Sequence, residues 1–173
     1  MTSLRSLAAA CALLLCMSTS AAAQQTIFVV RHAERADTTP AGAPAMIAPA
    51  TDPPLSAAGR ERAARLASML RSADITHIFT TEFRRTQETA APLAEQLKLT
   101  PVISPSKDPA PLVEQVRQAK GNVLIVGHSN TVPELLKGLG IKDAVTIPDA
   151  EYGNLFIVVR PATGEPTLIR LRF

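Results

Sequence analysis

The chain offers almost no sulfur chemistry. Both of its cysteines, Cys11 and Cys16, lie in the first 23 residues, so residues 24–173 contain none. That long segment can form no disulfide, no thiolate nucleophile and no cysteine-ligated metal site. A chain without unpaired thiols also suits an oxidising compartment.

Aromatic side chains and clustered positive charges are equally scarce. The sequence has five phenylalanines, one tyrosine and no tryptophan, and its formal net charge is +3. It has no run of basic residues, and its aromatic residues are not interleaved with lysine or arginine as on a nucleic-acid stacking surface. We therefore expect no nucleic-acid partner and expect any anion to be bound at a single point.

Residues 1–23 have the features of a secretory signal peptide. Arg5 supplies a short positive region, residues 7–17 (LAAACALLLCM) are apolar, and three alanines precede Gln24 as an A-x-A cleavage signal. The apolar run is too short to cross a bilayer as a helix. An uncleaved N-terminal anchor is the alternative.

The expected mature protein is one domain over residues 24–173. Removal of Arg5 with the signal lowers the formal net charge from +3 to +2. We predict a periplasmic or secreted location with no stable membrane span after cleavage. Lipid attachment at Cys16 is left open, although the residues before it lack the small side chain expected there.

Short apolar runs alternate with helical patterns along the rest of the chain. Residues 35–54 and 101–111 have neither period and are predicted to be loops. Strands are predicted over residues 26–30, 75–80, 122–126, 155–159 and 167–173, and helices over residues 57–72, from 86, over 112–120 and from 131. This order predicts an α/β fold, a three-layer α/β/α sandwich whose central sheet is mostly parallel with an antiparallel edge.

Three of the predicted strands are followed by histidine or arginine. Right-handed crossovers bring such strand ends to one edge of the sheet, where ligands bind in open α/β folds. The residues concerned are Arg31, His32, Arg84, Arg85 and His128. Guanidiniums bind phosphate oxygens in pairs and stay charged, and a neutral imidazole can attack phosphorus. The set therefore predicts a site for a phosphoryl group.

A metal centre is the rival use of two histidines. The sequence offers no third ligand at a supportive spacing, and neighbouring arginines would repel a cation. The two arginines at a helix start also oppose the helix dipole, and a bound anion would relieve that cost. We expect no metal.

Four segments together resemble a known family. RHAE at residues 31–34 resembles the RHG-type signature of the histidine phosphatase superfamily, in the branch that includes the cofactor-dependent phosphoglycerate mutases, with Ala33 where glycine is usual. DPPLSAAG at 52–59 is similar to the family's D-x-P-L-[ST]-x-x-G segment, which opens its first helix. TEFRRTQET at 81–89 resembles S/T-x-x-x-R-[AT]-x-x-T, and this match selects Arg85 over Arg84. Gly127-His128 resembles the second histidine.

The resemblance implies a phosphoglycerate mutase-like fold and a role for each matched residue. His32 would accept the phosphoryl group, and Arg31, Arg85 and His128 would bind the phosphate. No metal or cofactor is implied. Glu34 would orient or support the phosphate-binding pocket, with a plain surface carboxylate as the alternative.

The general acid that protonates the leaving group is the least defined role. The glutamate that mutases carry beyond the pocket arginine has no recognisable copy in this sequence. Glu82 is the first candidate because it lies in the turn after a strand, and Glu114 and Asp108 are the alternatives.

The expected function is that of a phosphomonoesterase, which hydrolyses a phosphate ester or phosphoryl group through a phosphohistidine on His32. Hydrolysis is favoured over mutase activity because the chain after Arg85 offers no obvious lid to keep water away. The alternatives are a non-catalytic phosphoryl-binding envelope protein and a phosphoglycerate mutase-type phosphotransferase. The expected partner is a phosphorylated small molecule or a phosphorylated envelope component, while the substrate and oligomeric state stay open.

Overall fold

The computed structural model describes residues 24–36 and 52–173, and its elements follow the alternation of apolar runs. The predicted signal peptide and most of the predicted loop at 35–54 lie outside these residues. The strands are β1 (Gln25–Arg31), β2 (Ile75–Thr80), β3 (Val102–Ile103), β4 (Asn122–Gly127), β5 (Asn154–Arg160) and β6 (Thr167–Arg172). The helices are α1 (Ala57–Leu70), α2 (Arg84–Leu97), α3 (Ala110–Gln118) and α4 (Thr131–Gly138).

The strands form one mixed sheet in the order β3-β2-β4-β1-β5-β6. The first four strands are parallel to one another, whereas β5 and β6 pair antiparallel. This arrangement confirms the predicted α/β fold with a mostly parallel sheet and an antiparallel edge. None of the described helices is both long enough and apolar enough to cross a membrane.

Helices cover both faces of the sheet because its central strands are apolar on both sides. In β1, Ile27 and Val29 belong to one buried cluster, together with residues of α3 and α4. Phe28 and Val30 belong to a second cluster, with residues of α1 and α2. Each fully buried side chain of this kind contributes about 1.5–3 kcal/mol. The strand ends are thereby fixed between two packed layers.

Strand β3 and the start of α2 differ from the sequence prediction. Residues 102 and 103, predicted as part of a loop, form the short edge strand β3, and Ser104 donates its backbone N–H to the Thr80 carbonyl. The prolines on either side of this strand indicated a loop, but proline is tolerated next to an edge strand. Helix α2 begins at Arg84, two residues earlier than its apolar period indicated.

Gly59 lets α1 lie against the segment that follows β1. A Cβ atom at this position would meet the Glu34 carbonyl oxygen at 2.2 Å. The Gly59 N–H also donates a hydrogen bond to the hydroxyl oxygen of the N-cap residue Ser56, at 3.1 Å. The glycine that ends the DPPLSAAG segment is therefore required by a close backbone approach.

We expect Gly59→Ala to destabilise the fold by about 1–3 kcal/mol, the usual cost of forcing extra atoms into a packed site. Chemical denaturation would measure the loss in the free energy of unfolding. Ser68→Ala, at an exposed position of the same helix, is the control and should stay within about 0.5 kcal/mol of the parent. Equal stabilities of the Gly59 variant and the parent would contradict the assigned contact.

Candidate active site

Four rings form a row across the carboxyl edge of the sheet, in the order of the strands beside them. Phe83 follows β2, His128 follows β4, His32 follows β1 and Tyr152 precedes β5. The centroids of His32 and His128 are 5.3 Å apart, those of Phe83 and His128 5.3 Å, and those of His32 and Tyr152 6.2 Å. The sequence-predicted histidines thus lie side by side, with one aromatic ring at each end.

His32 is held with one ring nitrogen ready to react. Its Nδ1 lies 2.7 Å from the Ala33 carbonyl oxygen, which can only accept a hydrogen bond. Nδ1 therefore carries the proton of the neutral ring, and Nε2 keeps an unshared electron pair. The pKa of His32 is lowered to about 3, mainly by burial. The hydrogen bond to Ala33 raises this pKa, whereas His128 and the nearby arginines lower it further. The neutral, nucleophilic form is thus the stable one near neutral pH.

His128 is oriented by partners on both ring nitrogens. Arg85 Nη2 lies 3.4 Å from Nδ1 and can only donate, so the ring proton is on Nε2, which donates to Thr81 Oγ1 at 3.0 Å. Burial first, and then the charge of Arg85, lower the pKa of His128 to about 4. Glu82 opposes this shift, which places its charge within electrostatic reach of the ring.

Arg31 is anchored through one end of its guanidinium. Nη1 donates to three backbone carbonyls of the segment before β5, those of Pro148, Asp149 and Glu151, at 2.9–3.1 Å. The guanidinium carbon lies 4.2 Å from the centre of the Tyr152 ring. Nε has no hydrogen-bond partner among the described residues. The Nε–Nη2 edge, which matches two oxygens of a phosphate, is the part left for a ligand.

The two arginines at the start of α2 have different surroundings. Arg85 lies beside His128, stacks 4.1 Å from the centre of the Phe83 ring and approaches Asp52 at 3.6 Å. Arg84 forms an exposed ion pair with Glu88, one helical turn along. The Asp52 carboxylate also accepts the Arg84 N–H at 3.1 Å. This carboxylate therefore provides part of the negative charge that the sequence assigned to a bound anion.

Glu34 binds a helix residue rather than facing the histidines. Its carboxylate receives Nε and Nη2 of Arg62 at 2.6–2.9 Å, and Arg62 Nη1 donates to the Phe173 carbonyl. Burial opposes ionisation of Glu34, but the bonds from Arg62 outweigh it and lower the pKa of the carboxyl group. Glu34 is thus placed to support the segment that carries His32.

The three candidate acids occupy different places. Glu82 is exposed at the edge of the site, where its carboxylate accepts the N–H and hydroxyl of Ser106 at 2.9 and 2.8 Å. Glu114 accepts the Gln118 amide within α3, and Asp108 accepts the Ala110 N–H at the start of the same helix. Only Glu82, through its electrostatic effect on His128, is linked to the histidine pair.

Sequence reasoning missed the supporting threonines and the role of Phe83. Thr89 Oγ1 accepts the Ala33 N–H and donates to the Arg85 carbonyl, so it joins the segment after β1 to α2. The hydroxyls of Thr81 and Thr86 are hydrogen-bonded to each other, and that of Thr81 also accepts from His128. The motif spacing T-x-x-x-x-T-x-x-T was the available signal, but only the fold shows which groups these hydroxyls bind.

The arrangement can bind a small anion and transfer a group to a histidine nitrogen. Two guanidiniums and a neutral nucleophile converge on one point, and positive groups of this kind stabilise charge on the oxygens of a phosphoryl group. Among residues 24–36 and 52–173, no three histidine, cysteine or acidic side chains are grouped so that they could hold a metal ion.

Known proteins resemble this chain in sequence and in fold. The family model described as Histidine phosphatase superfamily (branch 1) matches residues 27–106. These residues, fewer than half of the chain, are therefore similar to members of that superfamily. The chain is also 39% identical, over 79 residues, to the probable phosphoglycerate mutase GpmB of Yersinia enterocolitica. That match covers 46% of this chain and 35% of the relative, so it spans about a third of the mutase's length.

Solved structures of this kind share the fold of the whole described domain. The protein histidine phosphatase SixA, complexed with tungstate, covers 85% of this chain and 96% of its own, with a TM-score of 0.65 and 19% identity. A mycobacterial glucosyl-3-phosphoglycerate phosphatase covers 84% and 97%, with a TM-score of 0.61 and 14% identity. At these identities the likeness shows the fold alone.

The stacking of Tyr152 on Arg31 gives a first prediction for this site. Tyr152→Leu removes the ring and should weaken binding of inorganic phosphate roughly 2- to 30-fold, the range expected of a cation–π contact. Calorimetric titration at fixed ionic strength would measure it. Tyr152→Phe is the matched control and should bind like the parent, since the hydroxyl lies at the long distance of 3.4 Å from Arg31. Equal losses in both variants would contradict the assignment.

The buried histidines give a second prediction, on stability. Their folded-state pKa values, about 3 for His32 and about 4 for His128, lie below 6.5. The unfolded chain therefore binds more protons between these values, and the free energy of unfolding should fall as the pH decreases below about 6.5. Denaturant titrations from pH 7.5 to pH 4 should show this slope. His32→Asn should reduce it, and an unchanged slope would contradict neutral burial.

Proposed function

We propose that this domain is a metal-independent phosphomonoesterase that works through a phosphohistidine on His32. The observation that carries the proposal is the hydrogen bond to the Ala33 carbonyl, which keeps the ring proton of His32 on Nδ1 and leaves Nε2 as the nucleophile. The centroid of a second neutral histidine ring, His128, lies 5.3 Å from that of His32. A neutral imidazole nitrogen is a competent nucleophile toward phosphorus. The arginines beside it supply the positive charge that the transfer requires.

In the first step, the Nε2 electron pair of His32 forms a bond to phosphorus while the bond to the leaving group breaks. The leaving group keeps the bonding pair. The Nε–Nη2 edge of Arg31 and the guanidinium of Arg85 bind the phosphoryl oxygens, on which the transition-state charge is spread. Along the row of rings, His128 lies on the side of His32 opposite Tyr152, and its ring is oriented by Thr81 and Arg85.

In the second step, water attacks the phosphorus of the phosphohistidine. The P–Nε2 bond breaks, the ring regains its neutral form with the proton on Nδ1, and inorganic phosphate leaves with the protons of the water shared between it and solvent. Hydrolysis rather than transfer back to substrate is supported by the exposed side chain of Glu82 at the edge of the site, which water contacts. A mutase would have to exclude it.

We propose that the substrate is a phosphorylated small molecule or a phosphorylated envelope component. This follows from the predicted signal peptide over residues 1–23, which would deliver the domain to the periplasm or outside the cell. Two phosphatases of this fold, a protein histidine phosphatase and a glucosyl-3-phosphoglycerate phosphatase, are named for very different molecules. The superfamily fold is therefore compatible with either kind of partner.

The decisive variant is His32→Asn. We expect it to lose hydrolysis of an aryl phosphate by about 10³-fold or more, because no other group in the site replaces the nucleophile. Intact-mass spectrometry of the quenched parent enzyme should detect one acid-labile phosphoryl group, absent from the variant. His77→Asn, which changes the histidine of β2 away from the row of rings, is the matched control and should keep full activity.

Three results would contradict this proposal. Full activity of the His32 variant would remove the nucleophile. Phosphate binding without any phosphoryl adduct would favour the non-catalytic binder. Loss of activity on treatment with a chelator, restored by a divalent cation, would favour a metal mechanism.

A further inference from the structure

Arg62, on helix α1, contacts two segments that lie on either side of His32. The first segment follows β1 and carries Glu34, two residues after His32. The second segment precedes β5 and carries Tyr152, whose ring centroid is 6.2 Å from that of His32. Arg62 takes no part in the chemical steps proposed above, so its contacts with both segments have another purpose.

The guanidinium of Arg62 uses all three of its nitrogen atoms. Nε and Nη2 donate to the Glu34 carboxylate at 2.6–2.9 Å, and Nη1 donates to the Phe173 carbonyl at 2.8 Å. The side chains of Arg62 and Glu34 are only 20% and 18% exposed, so this pair is shielded from solvent more than an ordinary surface ion pair. Such a paired contact fixes the orientation of both side chains as well as their distance.

The contact with Phe173 extends to the turn that carries Tyr152. The Phe173 N–H donates to the carbonyl of Gly153, the residue directly after Tyr152, at 3.0 Å. Gly153 has a φ of +80°, and a Cβ atom there would lie 2.5 Å from Arg62 Nη1 and 2.6 Å from the Phe173 carbonyl oxygen. Glycine is therefore required at this position, because the turn packs directly against the hydrogen bond between Arg62 and Phe173.

The pairing of β1 with β5 does not reach these two segments. It ends at Val30 and Leu155, so both segments lie beyond its last paired residues. Arg31 binds three carbonyls of the second segment, and all three belong to residues before Tyr152. The contacts of Arg62 add a connection on the other side of the Tyr152 ring.

Resting on the function proposed above, we propose that Arg62 is a positioning residue of the site. It fixes the turn that carries Tyr152 relative to the segment that carries His32. The Tyr152 ring thereby keeps its place 4.2 Å from the guanidinium carbon of Arg31, and the Nε–Nη2 edge of Arg31 stays available to the phosphoryl group.

A double-mutant cycle on phosphate binding tests this role. Arg62→Met keeps most of the length of the side chain but removes every donor, and we expect it to weaken binding of inorganic phosphate by at least roughly threefold, within the range of a cation–π contact. Because Arg62 acts through the Tyr152 ring, the same change in a Tyr152→Leu background should alter the dissociation constant by less than about twofold. Calorimetric titration at fixed ionic strength measures all four proteins. Equal losses in the two backgrounds would overturn the proposal.

Two further variants separate position from charge. Arg62→Lys keeps the positive charge, but its single ammonium cannot make the paired contact with Glu34 and also reach Phe173, so it should bind phosphate as weakly as Arg62→Met. Arg65→Met is the matched control, because Arg65 is exposed on the same helix and its charge also acts on Glu34. It should bind phosphate within about twofold of the parent. Parent-like binding by Arg62→Lys, or an equal loss in Arg65→Met, would assign the effect to charge and refute the positioning role.

Amide hydrogen exchange without phosphate separates this inference from the function on which it rests. Arg62→Met should speed exchange of the Phe173 N–H by at least about tenfold, because the turn that supplies its acceptor is no longer held. The amide of Val29, in the centre of the sheet, is the internal reference in the same NMR spectra. A parent that binds no phosphate would refute the proposed function, whereas unchanged exchange at Phe173 would refute the role of Arg62 even in a parent that binds phosphate and labels His32.

Discussion

The hydrogen bond from the His32 N–H to the Gly127 carbonyl, at 2.9 Å, is the contact on which the site depends. It continues the parallel pairing of β1 and β4 one residue beyond Arg31, so the two strands separate only after His32. Because the backbone sets this separation, the distance between His32 and His128 does not rely on a loop. The packed layers on both faces of the sheet then keep the ladder rigid up to its last bond.

Arg31 and Arg85 are held mainly by neutral groups, which leaves their positive charge to attract a phosphate. Carbonyl dipoles and the Tyr152 ring hold Arg31 without neutralising its charge, and Arg85 stacks on the Phe83 ring and approaches the Asp52 carboxylate at 3.6 Å. A close carboxylate would position an arginine equally well, but it would compete with a phosphate for the same guanidinium edge. Burial and the positive charge of these arginines lower the pKa values of His32 and His128, so both histidines stay neutral.

The sequence was informative where a single residue type is required by chemistry and less so where side chains act together. The strand ends at Arg31, His32, Arg85 and His128 follow from apolar runs of fixed period, and the structure brings all four to one edge. The row of rings does not follow from the sequence, because Phe83 and Tyr152 are 69 residues apart and meet the histidines only through the strand order β2-β4-β1-β5. Strand β3 was missed because two exposed residues between prolines carry no period. The partner of Glu82 was missed because Ser106 reaches it from across the edge strand.

The location of Tyr152 has a practical consequence. It is the chain's one tyrosine, and the chain has no tryptophan, so the chain's one strong near-ultraviolet fluorophore lies beside Arg31 and His32. The emission of the unmodified protein therefore originates at the site itself. Any ligand that moves the guanidinium off the ring changes the surroundings of that single reporter, without a label and without turnover.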